Sequence, residues 1–171
     1  MSFPLPPARP GDQGAADNGL HVPAGIGITR WVFGDTYTAK LTAEATNGSI
    51  GLIEASVPPG GGPVTHTHVE EDETFCITSG ELEFRIGDRT LTAHSADVVF
   101  VPRTLPHRFR NTGLHAATMY FLYTPGGTEG LFVEGGDIPE PGRQAPLWGP
   151  ERVSAFSDLM AKYGVEVTPE S

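Results

Sequence analysis

Apolar and polar residues alternate in short runs through most of the chain. "IGITRWVF" (26–33) and "TYTAKLT" (36–42) are separated by "GD", and "SIGLIEASV" (49–57) ends at "PPGGGP". "ETFCITS" (73–79), "ELEFRI" (81–86), "RTLTAH" (89–94), "DVVFVP" (97–102), "HRFRN" (107–111) and "AATMYFLYT" (116–124) follow closely. These runs are rich in β-branched and aromatic residues, which fit a pleated, half-buried surface. Most are bounded by Gly, Pro, Asn or Asp. Short strands at this spacing predict a sandwich or barrel. After "TPGG" (124–127) the period changes. "TEGLFVE" predicts a short helix capped by Thr128, and "GGDIPEPGRQAPLWGP" (135–150) an irregular connection. "ERVSAFSDLMAKYG" predicts a second helix, with Val153, Phe156, Leu159, Met160 and Tyr163 on one face, Pro150 in its first turn and Gly164 as its stop. That stripe is expected to pack on the barrel as core. Residues 1–24, rich in Pro, Gly, Ala and Asp, are expected to form a flexible arm. The expected division is an arm at 1–24, a barrel at 25–127 and a helical extension at 128–171.

Composition sharpens this picture. A length of 171 residues suits one domain. The apolar fraction of 38% is low, but 22 glycines and 16 prolines account for much of the shortfall and point to a turn-rich, all-β chain. A net charge of −10 argues against nucleic acid or an anionic membrane as the main partner. No apolar run approaches transmembrane length. The first residues, "MSFPLPPARPGDQG", lack the charged and apolar regions of a signal peptide. Cys76 is the single cysteine, so no intrachain disulfide can form, which agrees with a reducing cytoplasm. A buried, inert thiol is expected there.

The chemistry concentrates in "HTHVEEDE" (66–73). In a strand, residues two apart share a face, so His66 and His68 project together. Such a pair is weak evidence of a metal by itself. The next strand supplies a test. If Glu73 faces inward, Phe75 and Ile77 face inward with it, and a barrel interior wants that set rather than Thr74, Cys76 and Thr78. Glu73 is then the carboxylate aimed where the histidines point, and Glu70, Glu71 and Asp72 form a solvated loop. In "HRFRN", His107, Phe109 and Asn111 share one face, and Arg108 and Arg110 share the other. With the arginines in solvent, His107 faces in. A lone inward histidine is more often a hydrogen-bonded core residue, but three convergent candidates make His107 the fourth. His21, His94 and His115 fall in no such pattern.

These positions resemble the two motifs of a single-domain cupin. The first, G-x5-H-x-H-x4-E-x6-G, is met by Gly60, His66, His68, Glu73 and Gly80. The second, G-x5-P-x-G-x2-H-x3-N, is met by Pro102, His107 and Asn111, while Ala96 and Thr104 stand where it has glycines. Those glycines serve turn geometry. The resemblance implies a cupin jelly-roll barrel and a metal set of His66, His68, Glu73 and His107. A narrower resemblance, to bacterial quercetin 2,3-dioxygenase-like cupins, rests on "VPPGGGPVTHTHVEEDETF", "VPRTLPHRFRN", "TPGGTEGLFVE" and the ending "KYGVEV".

The narrower resemblance implies one divalent transition metal, Ni, Fe, Co, Mn or Zn, since imidazole and carboxylate suit them all. It implies a dioxygenase acting on a flavonol-like or polyketide-like substrate, with Glu73 also taking the substrate's hydroxyl proton. Two alternatives stand beside it: a metal-dependent isomerase or cyclase that consumes no oxygen, and a non-catalytic binder of a small molecule. An apolar pocket is expected from some of Phe75, Ile77, Phe84, Phe100, Phe109, Met119 and Phe121. A small-molecule partner and a homodimer are expected, with "GITRWVF" as a strand that could exchange.

Overall fold

The computed structural model describes residues 19–168. The chain runs through β1 (Ile28–Val32), β2 (Asp35–Leu41), β3 (Gly51–Val57), β4 (His66–His68), β5 (Asp72–Ser79) and β6 (Glu81–Ile86). It continues through β7 (Arg89–His94), β8 (Val98–Val101), β9 (His107–Arg110) and β10 (Ala117–Thr124). Two helices, α1 (Glu129–Gly135) and α2 (Pro150–Lys162), and a last strand, β11 (Val165–Val167), complete it. The strands form because inward and outward positions alternate. On β10, Ala117, Met119, Phe121 and Tyr123 are buried, and the residues between them are only half-buried.

Two antiparallel sheets result. One has the order β1-β2-β3-β10-β5-β8 and the other β11-β4-β9-β6-β7. Their apolar faces meet: Phe75 of the first sheet lies 5.0 Å from Phe84 and 5.9 Å from Phe109 of the second, centroid to centroid. This is the expected all-β jelly-roll with a helical extension.

The turn glycines of the first motif, Gly60 and Gly80, have φ of +80° and +78°. Ala96 and Thr104 keep the same left-handed backbone without a glycine, at φ +74° and +66°. The turn shapes are therefore retained under strain, since an L side chain there costs about 1–2 kcal/mol.

Two expectations need correction. Thr128 does not cap α1: its backbone is already helical and its side chain makes no cap hydrogen bond. Cys76 is only half-buried, on the outer face of β5. The arm expected at 1–24 lies, for residues 1–18, outside the described residues. Just beyond it, the carbonyls of Pro23 and Ile26 accept hydrogen bonds from the buried Lys40 Nζ at 2.9 and 2.6 Å. The connection before α2 is pinned: Trp148 Nε1 donates to Asp137 Oδ2 at 2.6 Å, and the Arg152 guanidinium sits 4.4 Å from the Trp148 ring centre. No helix among the described residues is long and apolar enough to cross a membrane.

Candidate metal centre

β4 is three residues long, and its alternation turns His66 and His68 inward together. It meets β9 at one residue pair, His66 opposite His107. Its other edge is held by β11, where Val165 pairs with His68 and Val167 with His66. Glu73 comes from β5 in the opposite sheet, between Val101 and Tyr123. Three imidazoles from one sheet thus face a carboxylate from the other. The turn that bears Thr104 ties the halves together, since Thr104 N–H donates to His68 O at 2.8 Å.

All four side chains are buried, and their potential ligand atoms lie within 4.8 Å of one another. Metal–nitrogen and metal–oxygen bonds of about 2.0–2.2 Å place ligand atoms up to roughly 4.4 Å apart, so the group needs only slight contraction to hold one cation. His66 Nδ1 donates to Val64 O at 2.9 Å and His107 Nδ1 to Leu105 O at 3.0 Å. These bonds fix the tautomers and aim each Nε2 at the centre. His107 Nε2 lies 2.8 Å from Glu73 Oε2. His68 Nε2 lies 3.1 Å from the same oxygen, but neither His68 ring nitrogen makes a well-aligned hydrogen bond. Buried polar atoms are rarely left so, and the set could hold a cation as their partner.

The charges agree. Burial, then the His107 and His68 charges, press His66 down to about 3, so it stays neutral, as a ligand must. Burial works against ionising Glu73, but hydrogen bonding and charge from His107 and His68 prevail, and its pKa lies well below the usual carboxylate range. Burial also opposes the charge on His107, yet Glu73 outweighs it and raises the imidazole. Tyr123 is pushed well up by burial, by the Glu73 charge and by a hydrogen bond to it.

The acidic run divides. Glu70 is exposed, as expected. Asp72 binds Arg103 through Nε and a terminal nitrogen, both at 3.1 Å, which fastens the start of β5 to the loop before His107. Glu71 is not in a solvated loop: it is 8% exposed, and burial raises its carboxyl. Glu54 and Glu83 sit at half-buried positions that alternate with buried inward ones, so neither joins the centre. His21, His94 and His115 are exposed. Asn111 serves structure: its amide donates to Val57 O and His115 O, both at 2.8 Å.

The centre opens on a cavity of about 170 Å³. Of the residues expected to line it, only Phe109 and Phe121 do so. Phe75, Ile77, Phe84 and Met119 are closed core, and Phe100 points outward, 58% exposed. The remaining apolar wall includes Tyr37, Phe132 and Trp148, with Val153, Phe156 and Met160 of α2. The α2 stripe is therefore a pocket wall as well as packing. Asp35 also lines the cavity, and sequence reading passed over it. "GD" looks like a hairpin turn, yet extending the alternation back from Tyr37 by two places would have turned Asp35 inward.

Comparison with known proteins supports the same assignment. Residues 53–123 match the Cupin domain family. The polyketide synthase CurC of Streptomyces cyaneus is 31% identical over 90 residues, covering 53% of this chain and 57% of that protein. Protein SchB of Streptomyces halstedii is 33% identical over 84 residues, covering 49% and 59%. The chain thus spans less than three fifths of these relatives' length. Among solved structures, a predicted oxalate decarboxylase of Thermotoga maritima has a TM-score of 0.59 at 19% identity, covering 62% of this chain and 99% of that one. The Cnp3 cupin domain of Schizosaccharomyces pombe has a TM-score of 0.52 at 19% identity, covering 65% and 71%. Fold, motif spacing and family match agree that this chain carries a cupin domain, with His66, His68, Glu73 and His107 clustered where it could hold a metal.

Proposed function

We propose that the protein is a metal-dependent enzyme, a dioxygenase acting on an aromatic flavonol-like or polyketide-like substrate. The supporting observation is that the four-residue cluster opens on a cavity walled by aromatic rings. A divalent cation held by His66, His68, Glu73 and His107 would supply Lewis-acid or redox chemistry there. Phe109, Phe121 and Trp148 offer faces for a flat ligand and keep bulk water from it. Glu73, the one carboxylate in the cluster, accepts the proton of the substrate hydroxyl. The cavity is smaller than the roughly 300–1,000 Å³ of most ligand sites. A three-ring substrate then requires a wall to move. α2 is the wall with least to lose, since Met160 is its one fully buried residue.

A second reading is a cyclase or isomerase, in which the same site polarises a carbonyl and no oxygen is consumed. The similarity to a protein named as a polyketide synthase favours it. One experiment separates the two. The protein is loaded in turn with Ni, Fe, Co, Mn or Zn, and bound metal, oxygen uptake and substrate loss are followed with quercetin and with a polyhydroxylated aromatic polyketide. About one cation per chain with oxygen uptake supports the dioxygenase. Conversion without oxygen uptake supports the cyclase. No metal uptake overturns both.

A further inference from the structure

Asp35 is a buried carboxyl with one oxygen unaccounted for. It opens β2 and turns inward with Tyr37 and Ala39, 2% exposed. Tyr37 Oη donates to Oδ2 at 2.9 Å, which fixes the carboxyl plane. Oδ1 is buried and makes no well-aligned hydrogen bond, although the Gly62 amide lies close enough to the carboxyl to favour its charge. The "PPGGGP" loop passes against it so closely that a Cβ at Gly61 would come within 2.3 Å of Oδ1. The loop is thus bare where the carboxyl sits. Asp35 shares the cavity with His66, His68 and Glu73, and the rest of the lining is mostly apolar.

A buried acceptor without a well-aligned donor is destabilising, by about 1–3 kcal/mol when wholly unpaired and more if charged. The fold tolerates this at a position that lines the cavity. We propose that Asp35 is a second substrate-binding carboxyl, one that takes a ring hydroxyl of a polyhydroxylated aromatic substrate while another substrate oxygen is held at the histidine cluster. This rests on the reading of the cavity as an aromatic substrate site and narrows the substrate to a molecule with two separated oxygen functions. Burial pushes the carboxyl up to about 7, against the Tyr37 hydroxyl and the Gly62 amide, which suits a group able to accept or donate a hydrogen bond.

The test compares quercetin with 3-hydroxyflavone, which keeps the hydroxyl beside the carbonyl but lacks the other ring hydroxyls. Affinities are measured by calorimetry on metal-loaded wild type, Asp35→Asn and Asp35→Ala. Wild type should prefer quercetin by about tenfold or more, the scale of one hydrogen bond to a charged group. Asp35→Ala should lose that preference and keep both its metal content and its affinity for 3-hydroxyflavone. Equal weakening of both ligands, or no change, overturns the Asp35 assignment and leaves the broader function standing. Failure of wild type to bind either compound overturns both. Thermal melting supplies a readout that needs no ligand. At pH 8, Asp35→Asn should melt no lower than wild type, because a buried carboxylate kept for binding adds no stability once it is ionised. A lower melting temperature shows that the carboxyl is structural and overturns the assignment.

Discussion

Glu73 is open to two roles, ligand or base, and one substitution distinguishes them. Three neutral imidazoles can hold a divalent cation unaided, while a carboxylate adds charge and a proton acceptor. Glu73→Gln keeps shape and one acceptor oxygen but removes basicity. The variant should retain much of its metal and lose about 100-fold or more in activity per bound metal, the scale of lost general-base catalysis. Activity that falls only in step with occupancy would make Glu73 a ligand alone. Asp35 gives a pH prediction. Its pKa rises from 3.8 to about 7 on folding, so the folded state holds the proton more tightly. The stability it contributes is present below pH 3.8 and is lost as pH rises towards 7. Denaturant unfolding should therefore show Asp35→Asn gaining on wild type between pH 4 and pH 8, by the order of a few kcal/mol. A constant difference would place the charge elsewhere. Ala96 is simpler, because its strain is steric. Ala96→Gly should relieve a left-handed alanine at φ +74° and raise stability by about 0.5–1 kcal/mol, net of the added chain entropy. Calorimetry should read this as a higher melting temperature, by about 1–4 °C.

Among the elements, β4 depends most on its neighbours. A three-residue strand with one residue pair to β9 has little to hold it, and β11 supplies the rest of its ladder. Bonds from Val69 N to Gly164 O and from Thr168 N to Thr65 O, both 2.9 Å, continue the grip on either side. Deleting residues 165–171 should leave the larger sheet folded and weaken metal binding by about tenfold or more, since positioning contacts beyond the ligands are worth that much. Dialysis against a competing chelator would measure it, and unchanged affinity would show that β4 holds itself. Local pattern made most elements readable: β6 and β7 match their expected runs, and the face shared by Glu73, Phe75 and Ile77 follows from alternation. β11 was not readable as a strand. Three residues after a helix carry no period, and their pairing partner lies about a hundred positions earlier.

For the whole molecule, a homodimer is our proposal from the sequence resemblance. Light scattering at micromolar concentration should return twice the 18.2 kDa of one chain, and a monomer would end the idea. Within one chain, Trp31 of β1 is already bridged to Asp137, so a strand exchange through β1 would have to break that bridge. The sequence by itself determined the sheet class and the inward set of His66, His68, Glu73 and His107, while the structure showed that the turns at Ala96 and Thr104 keep their shape without glycine. The sheet class and the inward set depend on local quantities: a period of two and a motif spacing. Tertiary structure decided which aromatics close the core and which face the cavity, because Phe75 and Phe121 have the same alternation and differ only in what lies opposite them. It brought Glu71 out of solvent and Asp35 into the cavity. It made α2 a wall of the cavity and β11 the brace of β4. Burial and pairing of this kind depend on residues far away along the chain, and no local pattern carries that information.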